Sequence, residues 1–158
     1  MKQHSWTKIA LWTILGQIVA FGLIQLVPYG HATANPPVIN EPNWDSPQTR
    51  ACAKRACFDC HSNETKRWWA TKIAPVSWLA AADVNGARDE LNFSDWRGGG
   101  DWEELQQSTS GGSMPPLQYT IAHLNTKLSD AEKQQLIDGM KAMLSAPPAP
   151  TASPTSAP

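Results

Sequence analysis

Cys57-Phe58-Asp59-Cys60-His61 is the stretch on which the reading of this chain turns. Two thiols three residues apart can add across the two vinyl groups of a haem, and a histidine directly after the second thiol is placed to ligate the iron. Cys-x-x-Cys-His is the pattern of c-type haem attachment, in which the cofactor carries the redox chemistry and the protein binds and orients it. The expectation is one covalent haem c, with Cys57 and Cys60 as anchors and His61 as an axial iron ligand. Three other chemistries use such a thiol pair. A thioredoxin-like couple needs a βαβ pattern, which is absent. A zinc site needs two more ligands, and neither a second Cys-x-x-Cys nor a His-x₃₋₅-His accompanies Cys52. A disulfide inside the pentapeptide stays open in an oxidising compartment.

On the N-terminal side, Ile9–Tyr29 is an uncharged run, IALWTILGQIVAFGLIQLVPY. As a helix it spans about 30 Å, the thickness of a bilayer's hydrocarbon. Trp12 and Tyr29 stand near its ends, Lys2 and Lys8 precede it, and no Lys or Arg follows before Arg50. The bias of positive charge predicts a cytoplasmic N-terminus, with everything after Tyr29 on the outer side. Residues 1–30 are read as a retained anchor. Ala32-Thr33-Ala34 resembles a cleavage site, but the apolar run is longer than a signal peptide needs. Residues 31–45, with three prolines, are read as an extended tether.

The working domain is assigned to residues 46–144 and reads as all-α. Asp45-Ser46-Pro47 offers an N-cap and a first-turn proline for a helix running into the pentapeptide. Trp78–Leu91 has helical spacing interrupted by Gly86, and Glu103–Ser108 suits a short helix. Ser129-Asp130-Ala131-Glu132 is a capping box, after which Leu136, Ile137, Met140 and Leu144 form one apolar stripe. No alternating strand pattern appears. The tail, residues 145–158, contains only Ser, Ala, Pro and Thr and cannot build a core. A net charge of −1 gives no reason to expect nucleic-acid binding. In so short a domain a covalent porphyrin supplies apolar bulk that the chain lacks.

The ligand on the other side of the iron is sought among Met114, His123, Met140 and Met143. Met114 lies in Gly-Gly-Ser-Met-Pro-Pro, where prolines stiffen the chain around a weak thioether and glycines permit close approach. Met140 and Met143 fall on or beside the last apolar stripe, where methionine fills core. Met114 is therefore the expected ligand, His123 the alternative, and an open position the third case. Of the eight tryptophans, Trp44, Trp68, Trp69, Trp78, Trp96 and Trp102 lie in or beside the domain and are expected to pack around the porphyrin and build the core. Gly98-Gly99-Gly100 lacks the Lys-Ser/Thr of a phosphate loop. Lys54-Arg55 and Lys66-Arg67 flank the motif as surface charge or as partners for the propionates, and Cys52 is left as a buried free thiol.

Several segments together carry a resemblance: Arg55–Thr65, Ile73–Trp78, Leu91–Trp96, Met114-Pro115 and Lys127–Asp130, with Val-Pro-Tyr-Gly and Asn-Pro-Pro-Val upstream. They resemble the bacterial haem-binding domain family of membrane-anchored c-type cytochromes, over about residues 20–144. The resemblance implies one covalent haem, an N-terminal anchor and a small cytochrome c-like helical fold. The expected function is a single-electron carrier, not itself an enzyme, tethered to the inner membrane with its haem domain in the periplasm and docking redox partner proteins. The competing expectation is a haem-based sensor that takes NO, CO or O₂ at an open distal position.

Overall fold

The computed structural model describes residues 3–32, 34–97 and 101–145, with side chains from Ser5 onward. The expected disordered tail beyond Ser145 and the Gly98-Gly99-Gly100 run lie outside the described residues. Among those residues the regular structure is all helical, and no strand forms. The α-helices are α1 (Gln3–Ile24), α2 (Pro47–Ala56), α3 (Phe58–His61), α4 (Val76–Glu90), α5 (Trp102–Ser110), α6 (Leu117–Ala122) and α7 (Asp130–Ser145). Short 3₁₀ turns occupy Trp69–Lys72 and Leu124–Thr126. The all-α expectation is met.

The chain forms two compact units. The first comprises residues up to Ala34 together with Lys66–Asn85. Its long helix α1 is apolar on every side, and Ser5–Ile24, 20 residues, is long and apolar enough to cross a membrane. The helix begins earlier and ends sooner than the expected Ile9–Tyr29. Nothing between Gln3 and Lys8 breaks a helix. At the other end Pro28 has no N–H to give and disfavours helical backbone at Val27. The last turn tightens, with Gln25, Leu26 and Val27 N–H groups each donating to a carbonyl three residues back. Gln25 then joins this end to the rest of the unit: its Nε2 donates to Ala74 O, and Ala74 N donates to its Oε1, both at 3.0 Å. Gly30 (φ 77°) lies directly on the Ser77 backbone, where a Cβ has no room.

The second unit comprises Asn35–Thr65 and the chain from Gly86 onward. Ser46 caps α2 by accepting from Thr49 N at 3.2 Å, with Pro47 at the first helical position. Helix α4 runs unbroken through Gly86, since a lone glycine weakens a helix by only about 1 kcal/mol. Helix α5 is longer than read because Asp101 caps it, accepting from Glu103 N and Glu104 N. The α7 capping box forms as read: Ser129 N donates to Glu132 Oε2 at 2.8 Å, and Glu132 N donates back to Ser129 Oγ at 3.3 Å. Its buried stripe is Leu136, Ile137, Met140 and Met143, with Leu144 only half-buried, so Met143 takes the place expected of Leu144.

Helices α2, α5 and α7 enclose a core of Cys52, Ala53, Ala56, Phe58, Phe93, Leu128, Leu136, Met140 and Met143. Phe93, wholly buried, is its centre, with ring centroids 5.4 Å from Phe58, 5.3 Å from Trp44 and 6.2 Å from Trp96. Offset aromatic clusters of this kind contribute beyond the area they bury. Trp44, Trp96 and Trp102 pack on this core, as the core-building part of the expectation has it. Trp68 and Trp69 are exposed and take no part in it.

The expected tether also needs correction from Asn35 onward, because it is extended but tied down. Pro37 O accepts from Asn63 Nδ2, Ile39 N donates to Ser94 O, and Asn40 forms an isolated parallel bridge to Asp95. Glu41 takes a two-pronged bond from Arg50 at 2.6 and 2.7 Å, and that guanidinium holds its carboxyl below the usual range. Prolines kept this segment from helix or ladder, but side-chain bonds from elsewhere could still fix it.

Two outcomes follow for stability. Helix α7 meets α2 at Gly139, where a Cβ would collide with Thr49 and with Asp45 Oδ1. Gly139→Ala is expected to cost about 1–3 kcal/mol by urea denaturation followed by far-UV circular dichroism. Glu132 is held down to about 2 by the Ser129 backbone N–H, then by Arg55 and the Ser129 hydroxyl. A carboxyl lowered in the folded state stabilises above its ordinary value of 4.5 and loses that contribution as pH falls toward 2. Glu132→Gln should therefore melt below the parent protein near neutral pH, and the gap should close as pH drops through that window.

Candidate functional site

Cys57 closes α2, its N–H donating to Ala53 O at 2.8 Å, and the same residue opens the single turn α3. His61 N donates to Cys57 O at 2.8 Å, so one tight turn carries both thiols and the imidazole. None of the three cysteines forms a disulfide, inside the pentapeptide or elsewhere. Cys57 packs against the core, and burial, reinforced by the neighbouring Cys60 and Cys52, pushes its thiol up to about 12. Cys52 is buried one helical turn away, as expected, and burial raises its thiol as well. Among the described residues no three His, Cys, Asp or Glu side chains converge on a metal-binding cluster.

His61 is held from behind by the segment after α4. Its Nδ1 lies 3.1 Å from Leu91 O. A carbonyl oxygen only accepts, so the proton belongs on Nδ1 and the lone pair on Nε2, the atom left for a metal. Burial lowers the imidazole's pKa, which keeps it neutral at physiological pH, and bonds to the Leu91 and Ala87 carbonyls oppose that shift. Phe93 N donates to His61 O at 2.8 Å, completing a two-point clamp. The turn beyond is fastened in the same way: Asn63 N donates to Ser94 Oγ, Asn92 Nδ2 to Asn63 Oδ1, and Arg88 Nε to Ser62 O.

A second arm reaches the motif from α6. Tyr119 donates its phenol to Asp59 Oδ2 at 2.7 Å, and Asp59 is the residue between Phe58 and Cys60. Burial and then this carboxylate raise the phenol's pKa, so it remains a donor. His123, at the C-cap of α6, stacks on Tyr119 with ring centroids 4.3 Å apart, and its Nδ1 lies 3.1 Å from Tyr119 O. Met114 stands on the turn entering α6 and is 43% exposed, its N–H donating to Ser108 O. Met140 and Met143 are core residues. Of the basic pairs, Lys54 meets Glu64 at 3.2 Å and Arg55 meets Glu132.

The structure thus brings Cys57, Cys60 and His61 together on one turn and hangs the arm bearing Met114 and His123 from the same turn. Sequence reasoning missed the Leu91–Ser94 clamp and the Tyr119–Asp59 bond. Leu91–Trp96 stood out only as part of a familial pattern, and a tyrosine so far along the chain gave no local signal.

The family model of the haem-binding domain matches residues 19–142. No curated protein and no solved structure matches the chain. The chain belongs to the haem-binding domain family, and it is a haem-binding protein. The residues present fit that group: a neutral imidazole with its lone pair on Nε2 is an iron donor, and two reduced thiols stand on the same turn.

Tyr119→Phe removes the bond that fastens α6 to the motif. It is expected to cost about 1–2 kcal/mol in a urea titration, whereas Asp59→Asn, which keeps an acceptor for the phenol, should cost less.

Proposed function

We propose that this haem-binding protein is a membrane-tethered c-type cytochrome that carries single electrons and is not by itself an enzyme. The observation that carries the reading is His61 Nδ1 parked on Leu91 O, with Cys57 and Cys60 on the same helical turn and in no disulfide. Cys57 and Cys60 would hold the porphyrin through thioether bonds, each formed by adding S–H across a vinyl group with no atom lost. His61 would hold the iron through Nε2, and Met114 would hold it through its thioether, with His123 as the alternative. When bound, the haem supplies a one-electron Fe(III)/Fe(II) couple. Ligation by a thioether and an imidazole would favour the reduced state more than ligation by two imidazoles. The Leu91–Ser94 clamp and the Tyr119–Asp59 bond keep the donors in place, which limits reorganisation as the charge on iron changes. Helix α1 would cross the inner membrane with Lys2 and Lys8 inside, leaving the haem domain in the periplasm to meet redox partner proteins.

The second reading is a sensor of NO, CO or O₂ with an open distal position, and the exposure of Met114 is what favours it. The discriminating experiment is an optical spectrum of protein made in a host that matures c-type cytochromes. Expected for the parent are a Soret band that survives denaturing solvent extraction and a six-coordinate low-spin spectrum unaltered by CO. Cys57→Ala with Cys60→Ala should lose the extractable-resistant Soret band. Met114→Ala should become high-spin and bind CO, while His123→Ala should not. Rapid CO binding by the parent protein would establish the sensor instead. A bare-chain mass after extraction would end the covalent reading.

A further inference from the structure

The first unit presents an apolar surface that the electron-carrier reading does not use. Trp68, Trp69, Ile73, Val76 and Leu79 are 50%, 63%, 37%, 47% and 59% exposed. The two indoles meet edge to face with centroids 5.1 Å apart. Ser77 N donates to Ile73 O at 2.9 Å, which ties the extended Ile73 to the first turn of α4. Val76 and Leu79, three residues apart on α4, share one face, and Ile73 lies just before that helix. Large apolar side chains left exposed together in one short segment mark a contact surface.

Its position in the unit identifies what it contacts. Gln25 immediately follows Ile24, the end of α1, and grips both the N–H and the carbonyl of Ala74 at 3.0 Å. The span Ser5–Ile24 covers about 30 Å of helix, the full hydrocarbon depth, so Gln25 falls at the bilayer boundary. Ala74 lies between Ile73 and Val76 and is held at that same level. We propose that Trp68–Leu79 lies in the headgroup layer beside the exit of α1, as a second, non-spanning membrane contact. The proposal rests on the reading of α1 as a membrane span.

Three features favour lipid over a protein partner. Tryptophan settles at membrane–water interfaces, where an apolar ring and a polar N–H are both accommodated. Lys66, Arg67 and Lys72 interleave with the apolar residues, and Lys66 and Lys72 are exposed, as lipid phosphates require. Asp83, exposed one turn beyond Leu79, ends the stripe with a charge that an anionic surface repels.

The test uses the full haem-loaded chain carrying Cys52→Ser, in nanodiscs of phosphatidylethanolamine and phosphatidylglycerol. Nitroxides are placed singly through Trp69→Cys, Leu79→Cys, Leu15→Cys on α1, and Gln106→Cys on α5. Collision with oxygen and with a water-soluble nickel chelate is read by electron paramagnetic resonance. Labels at 69 and 79 are expected to favour oxygen severalfold over the label at 106, at a depth shallower than the label at 15. Aqueous behaviour at 69 and 79 with a deep label at 15 overturns the interfacial contact and leaves the span intact. Shielding of 69 and 79 from both reagents overturns it in favour of a protein cover. An aqueous label at 15 overturns the span itself, and the proposal with it. An unchanged Soret band in each variant establishes that the fold is retained.

Discussion

The clamp between His61 and the Leu91–Phe93 backbone is the constraint on which the site depends. An imidazole on a bare four-residue helical turn would rotate freely and present either nitrogen. Here one nitrogen is committed to Leu91 O and the residue's own carbonyl is committed to Phe93 N. Both bonds are to backbone, so they survive most side-chain changes in the segment. They also lie in a buried setting, where an unmade bond would cost more than a made one gains. The ring is therefore oriented before any metal arrives, and little ordering remains to oppose ligation.

The same segment ties the site to the core. Phe93, whose N–H grips His61, is also the ring against which Phe58, Trp44 and Trp96 pack. Phe58 itself is the first residue of α3, between the thiols. The aromatic cluster and the ligand turn are one mechanical object, and helices α2 and α7 hold it through Thr49, Gly139 and Met140. A small domain with modest core area can hold a ligand turn rigidly in this way, because packing residues and site residues are neighbours in the chain.

Local chemistry was legible in advance and distant partnership was not. The Ser46 cap, the Ser129–Glu132 box and the helical face through Met140 all depend on residues within a turn or two of each other. So does the grouping of Cys57, Cys60 and His61. The Leu91 carbonyl, the Tyr119 phenol and the fastening of Pro37 to Asn63 join residues separated by long stretches of chain. No pattern of spacing encodes them. Met143 displaced Leu144 from the buried stripe because a 3.6-residue period admits either neighbour, and only the facing helix decides. Pro28 was the one local signal underweighted, since it sets where α1 must stop. Trp68 and Trp69 stand outside the core for another reason: aromatic character predicts burial from water without saying whether protein or something else provides the cover.

Cys52 adds a consequence for how the molecule is assembled. An odd thiol close to a reactive pair invites mispairing in any compartment that oxidises cysteines. Here the sulfur is sealed beneath α7, and its proton is held more firmly than in a free thiol, so the folded chain offers oxidants almost no thiolate at that position. The vulnerable interval is thus the time before α7 closes over α2. Maturation fidelity in this protein is a matter of timing: α7 must dock on α2 before scrambling can start.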